Sequence, residues 1–181
     1  MTTQNYSSYL QQSQTIIRVD EKGKPIGGID KWEAHKKGIL HKGFSVALMY
    51  ESQILLQIRK HPVFDKVVDL TASSHPLVLR GENKKEEDAV YDCLSREWNV
   101  QRSELPNIKN CGSFVYRAED DAGYTEHEYC TFYSADIDRL PSPNTEFAYG
   151  CIITSLRYLQ LESSKYPIAP WVRKGIDLLT R

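Results

Sequence analysis

The chain has 181 residues, of which 40% are hydrophobic and 26% charged, and its formal net charge is −1. This length suits one domain that buries roughly two thirds of the surface of its unfolded chain. The composition argues against intrinsic disorder, and the lack of a basic excess argues against a nucleic-acid partner.

Four cysteines, at positions 93, 111, 130 and 151, form no Cys-x-x-Cys pair, and no secretory leader precedes them. We therefore expect reduced thiols in a cytoplasmic protein. No apolar window approaches the length of a membrane span, so we expect no membrane partner. The first 15 residues, rich in Thr, Gln, Ser and Tyr, are predicted to be a flexible tail, and residues 16–181 a single domain. The sequence leaves the oligomeric state open.

The first half of the chain is predicted to consist mainly of strands, which pair as hairpins where Gly, Pro or polar turns separate apolar runs. The predicted strands cover residues 16–19, 26–29, 44–50, 54–58 and 67–71. Asp30 is expected to cap a short helix, and residues 36–43 are expected to be a loop. The last of these strands leads into a Ser-Ser-His-Pro turn at residues 73–76.

The second half adds helices. A solvated loop is predicted over 77–86, and a helix over 87–98. Two strands, at 108–117 and 126–135, are joined by an acidic turn. The remaining predicted elements are a strand at 149–153, a short helix capped by Ser155 and a closing helix that begins near Pro170.

The helix at 87–98 carries a carboxylate on its apolar side. Val90, Cys93 and Leu94 form a stripe with helical spacing, and Glu97 falls on that stripe. Burying an unpaired carboxylate is costly, so Glu97 is expected to meet a cation or a metal ion.

A second group of polar residues has metal-ligand character. Glu126 and Glu128 alternate along a predicted strand, so their side chains share one face of the sheet. With His35, His41 and His75, one fold could bring three imidazoles and two carboxylates to one point. The alternatives are surface histidines and a solvated strand face.

The order and spacing of eight segments, from about Val19 to Trp171, carry a family resemblance. They are Val19-Asp-Glu-Lys-Gly-Lys-Pro-Ile-Gly, Asp30-Lys-Trp-Glu-Ala-His35, Leu40-His-Lys-Gly-Phe-Ser, Ser74-His-Pro, Glu87-Asp-Ala-Val, Tyr116-Arg-Ala, Glu126-His-Glu-Tyr-Cys130 and Pro170-Trp171. The chain resembles the type 1 isopentenyl-diphosphate isomerases, a branch of the Nudix superfamily. The resemblance implies an α/β Nudix fold, with a mixed β-sheet flanked by helices and an N-terminal hairpin extension.

The resemblance also implies two ions. The family's divalent metal ligands match His35, His41, His75, Glu126 and Glu128. Imidazole and carboxylate together suit Mn²⁺ or Zn²⁺, and an octahedral set of N and O ligands favours Mn²⁺. A second ion, Mg²⁺, would bridge Glu97 and the diphosphate of a small-molecule substrate.

The family reaction is protonation of an alkene followed by loss of a proton elsewhere. By resemblance, Glu128 with Tyr116 would supply the proton, and Trp171 would face the developing positive charge. The substrate diphosphate would be bound by Lys31, Arg59 and Lys60. Without the resemblance, the aromatic residues would be read as core and the cations as strand-end charges.

The chain departs from the family pattern at the catalytic positions. Ser73 stands where the family has its catalytic cysteine, and a hydroxyl is a poor proton acceptor without a neighbouring base. Cys93 replaces an arginine that binds diphosphate, and a lysine is lost around His61. These changes predict a divergent enzyme, in which Ser73 is a catalytic candidate or a residue that shapes a turn.

Two other functions stay open on the sequence alone. A Nudix hydrolase that cleaves a nucleoside or other diphosphate would need several helix carboxylates, but the positions before Glu97 include Asp92, Cys93 and Arg96. A non-catalytic protein that binds a diphosphate is the third hypothesis.

Overall fold

The computed structural model describes Tyr9, residues 12–162 and residues 167–180. Most of the predicted tail at 1–15 lies outside these residues, so the tail and the single domain at 16–181 stay predictions. The strands are β1 (Thr15–Val19), β2 (Pro25–Asp30), β3 (His41–Tyr50), β4 (Gln53–Arg59), β5 (Val68–Asp69), β6 (Ala72–Ser74), β7 (Val78–Leu79), β8 (Glu82–Asn83), β9 (Lys109–Glu119), β10 (Thr125–Asp136) and β11 (Ala148–Ser155). The α-helices are α1 (Lys31–Lys37), α2 (Glu86–Trp98), α3 (Leu156–Glu162) and α4 (Pro170–Leu179), and a 3-10 turn spans Arg102–Glu104.

Nine of the described strands form one mixed sheet in which β3 is central. β10 runs parallel to β3 along one edge. The other edge of β3 pairs in turn with β1, β6 and β4, all antiparallel. β9 pairs with β10, β2 with β1, and β11 with β4. The predicted mixed sheet flanked by helices, with an N-terminal hairpin, is confirmed.

The sheet is covered on both faces, which explains why β3 is almost continuously apolar. Phe44, Val46 and Leu48 belong to the core that includes α2. Ala47 belongs to the core on the other face, which includes Trp171 of α4. Because side chains alternate along a strand, the odd-numbered positions of β3 all face this second side.

The two helices that carry predicted site residues form as their sequences indicate. The carboxylate of Asp30 accepts the backbone N–H of Glu33 at 3.0 Å and so caps α1, which ends at Gly38 in the left-handed region at φ 61°. In α2 the predicted apolar stripe is buried, and Glu97 on that stripe is 8% exposed. In the described part of the chain, no helix is both long and apolar enough to span a bilayer.

Three predicted loops and turns were wrong in detail. Within 36–43, β3 begins at His41, because this residue already pairs with β1 and β10. Of the strand predicted at 67–71, only Val68–Asp69 forms a strand (β5), and Ser73 and Ser74 lie in the next strand, β6, rather than in a turn. The loop at 77–86 contains the β7–β8 hairpin, whose turn is allowed by positive φ at residues 80 and 81.

Candidate metal centre and cationic cleft

Three histidines and one glutamate converge on a single point beneath α1. The ligand atoms of His35, His41, His75 and Glu126 all lie within 4.8 Å of one another. Nε2 of His35 is 3.1 Å from Oε2 of Glu126, and Nε2 of His41 and of His75 are each 3.9 Å from that oxygen. Ligand atoms that each lie about 2.0–2.2 Å from one ion are separated from one another by distances like those measured here. The spacing therefore fits a single divalent metal.

The same four atoms are buried and have no hydrogen-bond partner among the described residues. Leaving a buried polar atom unpaired costs about 1–3 kcal/mol, so four at one point indicate a ligand set. Nδ1 of His35 lies 2.6 Å from the carbonyl of Lys31, and Nδ1 of His41 lies 2.7 Å from the carbonyl of Ile39. These bonds place the ring proton on Nδ1 and leave the Nε2 lone pair directed at the shared centre.

Glu128, the fifth predicted ligand, lies beside this cluster. Its Oε1 is 2.8 Å from Nε2 of His75, but the contact does not have hydrogen-bond geometry. Two ligands of one ion show this arrangement, because their lone pairs point at the ion rather than at each other. Tyr116 lies directly opposite on the neighbouring strand β9, and its phenol lowers the pKa of the Glu128 carboxyl group.

The environment shifts the pKa values of His41, Glu126 and Glu128 in different directions. Burial lowers the pKa of His41 to about 3, so its imidazole is neutral at physiological pH, as a metal ligand must be. Burial alone would raise the pKa of Glu126, but the nearby His35 and His75 together outweigh it and hold that pKa well below its usual value. For Glu128, burial raises the pKa, opposed by His75 and reinforced by Glu126.

A cleft next to the cluster contains the three predicted diphosphate ligands. Lys31, Arg59 and Lys60 all line it, together with His75. Burial lowers the pKa of Lys31 to about 8, opposed by Glu126 and reinforced by Arg59 and Arg96. A buried group of cations favours an anion, because binding one removes their mutual repulsion.

The three cations differ in how far they are already engaged. Arg59 donates to Asp69 at 3.1 Å and to the carbonyl of Val63 at 3.1 Å. Lys60 donates to the carbonyl of Thr145 at 3.0 Å. The ammonium of Lys31 instead lies over the rings of Tyr9 and Trp32, at 5.8 and 5.3 Å from their centroids. Among the described residues, Lys31 is therefore the cation of the three whose ammonium donates no hydrogen bond and can donate to a ligand.

Glu97 reaches the cleft from α2, and it meets a cation as its inward position requires. Its Oε1 accepts Nη2 of Arg96 at 2.8 Å and the thiol of Cys93 at 3.3 Å. Asp92, on the same helix, is turned outward with its side chain 62% exposed and is paired with Lys84. Of these two helix carboxylates, only Glu97 can contribute to chemistry in the cleft.

Ser73 and Trp171 both donate hydrogen bonds to the buried carboxylate of Asp69, a residue to which the sequence assigned no role. The hydroxyl of Ser73 donates to Oδ1 of Asp69 at 3.0 Å, and the indole N–H of Trp171 donates to the same oxygen at 2.6 Å. The ring of Trp171 lies 5.4 Å from that of Tyr116. A charged residue inside the apolar run at 67–71 was the available signal for Asp69.

Tyr9 is a second residue that the sequence analysis missed. It comes from the predicted tail, yet it lines the cleft. Its ring is 4.4 Å from the guanidinium carbon of Arg96 and lies edge-on to Phe147 at 5.9 Å. No feature of the surrounding sequence indicated this contact, because its partners are distant in the chain.

Comparison with known proteins gives the site its family context. No family model matches the chain. The isopentenyl-diphosphate Delta-isomerase of Aliivibrio fischeri strain MJ11 is 37% identical over 120 residues, which cover 62% of this chain and 64% of the relative's length. The enzyme of that name from Pectobacterium atrosepticum is 31% identical over 134 residues, which cover 72% of this chain and 70% of the relative. The chain belongs to the isopentenyl-diphosphate isomerase family.

Other relatives of this isopentenyl-diphosphate isomerase family extend the match along the chain. Isopentenyl-diphosphate Delta-isomerase 1 of Bos taurus is 29% identical over 181 residues, covering 88% of this chain and 79% of the relative. Among solved structures, DR0079 from Deinococcus radiodurans aligns with a TM-score of 0.70 at 17% identity, covering 93% of this chain and 100% of that one. A MutT NUDIX hydrolase from Burkholderia pseudomallei aligns with a TM-score of 0.57 at 17% identity, covering 77% and 97%. The predicted Nudix fold is confirmed, whereas the match of Ser73 to the family's cysteine stays a prediction.

Proposed function

We propose that this chain is a metal-dependent enzyme of the isopentenyl-diphosphate isomerase type, which moves a double bond in a short prenyl diphosphate by adding and removing protons. The observation that carries the proposal is the convergence of four unpartnered ligand atoms beside Glu128 and a cationic cleft. The proposal matches the activity for which the relatives from Aliivibrio fischeri and Pectobacterium atrosepticum are named.

His35, His41, His75 and Glu126 would hold one divalent ion, with Glu128 as a fifth ligand. The mixed set of imidazole and carboxylate suits Mn²⁺ or Zn²⁺. When bound, the ion supplies positive charge that offsets the repulsion between Glu126 and Glu128. Glu97 would bind Mg²⁺ together with the diphosphate, because that ion prefers oxygen ligands.

Lys31, Arg59 and Lys60 would bind the diphosphate in the cleft, with Lys31 contributing most because its ammonium has the fewest competing acceptors. The hydrocarbon end of the substrate would then lie toward Glu128 and Ser73. The cleft is therefore suited to a small substrate with one strongly anionic end.

Glu128 would donate the proton that starts the reaction. Burial raises its pKa, opposed by His75, and a carboxylic acid that stays protonated can act as a general acid. Tyr116, which pairs with Glu128 across the two strands, would orient the carboxyl group by donating a hydrogen bond to it. Trp171, 5.4 Å from Tyr116, would stabilise the positive charge on carbon through its π face.

The decisive experiment is incubation of metal-loaded protein with isopentenyl diphosphate in D₂O, followed by mass spectrometry and proton NMR. We expect deuterium in the recovered substrate and in an isomer with a shifted double bond. Glu128→Gln should abolish incorporation, whereas Glu119→Gln, which alters an exposed carboxylate on β9, should not. No deuterium in the wild-type reaction would refute the isomerase proposal.

The same samples test the hydrolase alternative. Phosphate or pyrophosphate release across a panel of organic diphosphates would favour a Nudix hydrolase, and in that case Glu97→Gln should reduce the rate. Tight diphosphate binding without turnover under any metal would favour a binding protein.

A further inference from the structure

A fully buried carboxylate, Asp69, lies behind the cleft and is not used by the mechanism above. Its exposure is 0%, and it sits on β5 next to the cleft residue Arg59. Nη1 of Arg59 donates to Oδ2 at 3.1 Å. Burying an ionised carboxylate is costly unless it is paired and hydrogen-bonded, so the partners of Asp69 are the first thing to establish.

The hydrogen bonds around Asp69 show which group donates and which accepts in each contact. An ionised carboxylate can only accept, so the hydroxyl of Ser73 must donate its proton to Oδ1 across the 3.0 Å contact. Ser45 lies 3.0 Å from the same hydroxyl and must then act as the donor in that contact. The indole N–H of Trp171 lies 3.1 Å from the Ser73 hydroxyl as well as 2.6 Å from Asp69. The Ser73 hydroxyl therefore donates its proton in a hydrogen bond to Asp69, and Ser73 also lines the cleft.

The pairing of strands in the sheet places Ser73, with Asp69 behind it, across β3 from Glu128, the proposed general acid. Ser73 pairs with Ser45 on one edge of β3, and Glu128 on the other edge extends over Gly43. Gly43 and Ser45 are two residues apart on the same face, a separation of about 6–7 Å along the strand. An alkene lying across β3 would therefore have an acid at one end and the Ser73 hydroxyl at the other.

We propose that Asp69 is the final acceptor of the proton removed from the substrate, and that Ser73 relays it. This inference rests on the proposed isomerase function. After Glu128 has protonated the alkene, a C–H bond next to the cationic carbon breaks, and its electron pair forms the new double bond. The released proton goes to the oxygen of Ser73, while the original hydroxyl proton of Ser73 moves to Oδ1 of Asp69. Ser73 ends neutral and Asp69 ends as a carboxylic acid, so charge and protons balance.

Two further observations support Asp69 in this role. Burial raises the pKa of its carboxyl group, although Arg59 opposes the effect, so the environment favours holding a proton more than solvent would. Arg59 holds Oδ2 and the backbone N–H of Leu70 holds Oδ1 at 2.7 Å, so the carboxylate cannot turn away from Ser73. Asp69 acts through Ser73 and is therefore a positioning and relay residue rather than one that touches substrate.

The test measures kcat and KM for isopentenyl diphosphate in metal-loaded variants. We expect Asp69→Asn, which keeps the size and shape of the side chain, to lower kcat at least about a hundredfold with little change in KM. Ser73→Ala should give a similar loss, and the double variant should be no worse than either single one, because both break the same path. Asp177→Asn, an exposed carboxylate on α4, is the matched control and should keep wild-type kcat.

A rescue separates a proton role from a structural one. Ser73→Cys supplies a thiol that can accept the proton itself as a thiolate, so adding it to Asp69→Asn should restore kcat at least about tenfold. If Asp69 serves only to hold the fold, the thiol will not rescue, and the inference is overturned. Full kcat in Asp69→Asn overturns it as well. Absence of deuterium exchange in the wild type refutes the proposed function and this inference together, whereas wild-type exchange with an active Asp69→Asn refutes the inference alone.

Discussion

The carboxylate of Glu128 occupies the space where a side chain at Gly43 would begin. A Cβ built on Gly43 would lie 2.1 Å from Oε2 and 2.3 Å from Cδ of Glu128. The two residues lie on adjacent strands, β10 and β3, whose parallel pairing fixes their separation. Glycine is therefore required at this position by the proposed acid rather than by the backbone.

Gly43→Ala is expected to damage catalysis more than stability or metal content. The added methyl group must push the Glu128 carboxylate aside, and a displacement of about 1 Å can cost a hundredfold in rate. We expect kcat to fall by about that factor. The metal content, measured by mass spectrometry, should stay near wild type because the four clustered ligands other than Glu128 are unchanged. Gly150→Ala is the matched control in β11, because its Cβ would lie 3.9 Å from Ile58. Equal kcat values for the two variants would contradict this account.

Removing one imidazole from the cluster should weaken metal binding. His41 is fully buried and directs Nε2 at the shared centre. Loss of an outer partner of a metal ligand typically costs 10–100-fold in affinity, so loss of the ligand itself should cost at least about a hundredfold. We expect His41→Gln to lose its metal on dialysis against a weak chelator that the wild type withstands. His127→Gln changes the imidazole between the two glutamates, which bonds the carbonyl of Gly38, and should keep its metal.

The parts of this site that the sequence could predict are those with local patterns. Glu126 and Glu128 share a face because strand side chains alternate, and the two residues are indeed both buried on β10. Glu97 was predicted to face inward because it lies on the apolar stripe of a helix, and it does. Both predictions needed only residues within a few positions of each other.

The parts that could not be predicted depend on contacts between distant residues. Asp69 meets Trp171 across 102 positions of sequence, and no local period links them. β6 forms a strand only because its partner β3 offers an open edge, so Ser73 and Ser74 looked like turn residues in isolation. The requirement for glycine at position 43 arises from a carboxylate on another strand, which the sequence around it does not contain.

The lowered pKa of Lys31 predicts that substrate binding depends on pH. Burial lowers its pKa to about 8, so a growing fraction of its side chains loses the positive charge as pH rises through 8. We expect KM for isopentenyl diphosphate to increase between pH 7 and 9, because the neutral amine attracts the diphosphate less strongly. The substrate itself keeps a constant charge in this range, as its last phosphate proton is lost near pH 6.

Lys31→Arg provides the comparison for this pH effect. A guanidinium stays protonated at these pH values, so its KM should change little between pH 7 and 9. Parallel KM profiles for wild type and Lys31→Arg would show that the rise comes from another group.

The hydrogen bonds of Thr71 predict that this residue stabilises the fold without taking part in the metal centre or the cleft. Its hydroxyl accepts the backbone N–H of Leu48 at 2.9 Å and donates to the carbonyl of Leu55. These two residues form a pair between β3 and β4. Thr71→Val keeps the shape of the side chain but leaves both backbone groups without this buried partner, which should lower the free energy of unfolding by about 2–4 kcal/mol. Thr71→Ser keeps the hydroxyl and should lose only about 1 kcal/mol. Urea unfolding of both variants at the same metal concentration measures the difference, and a valine variant as stable as the serine variant would show that the hydroxyl does not join the two strands.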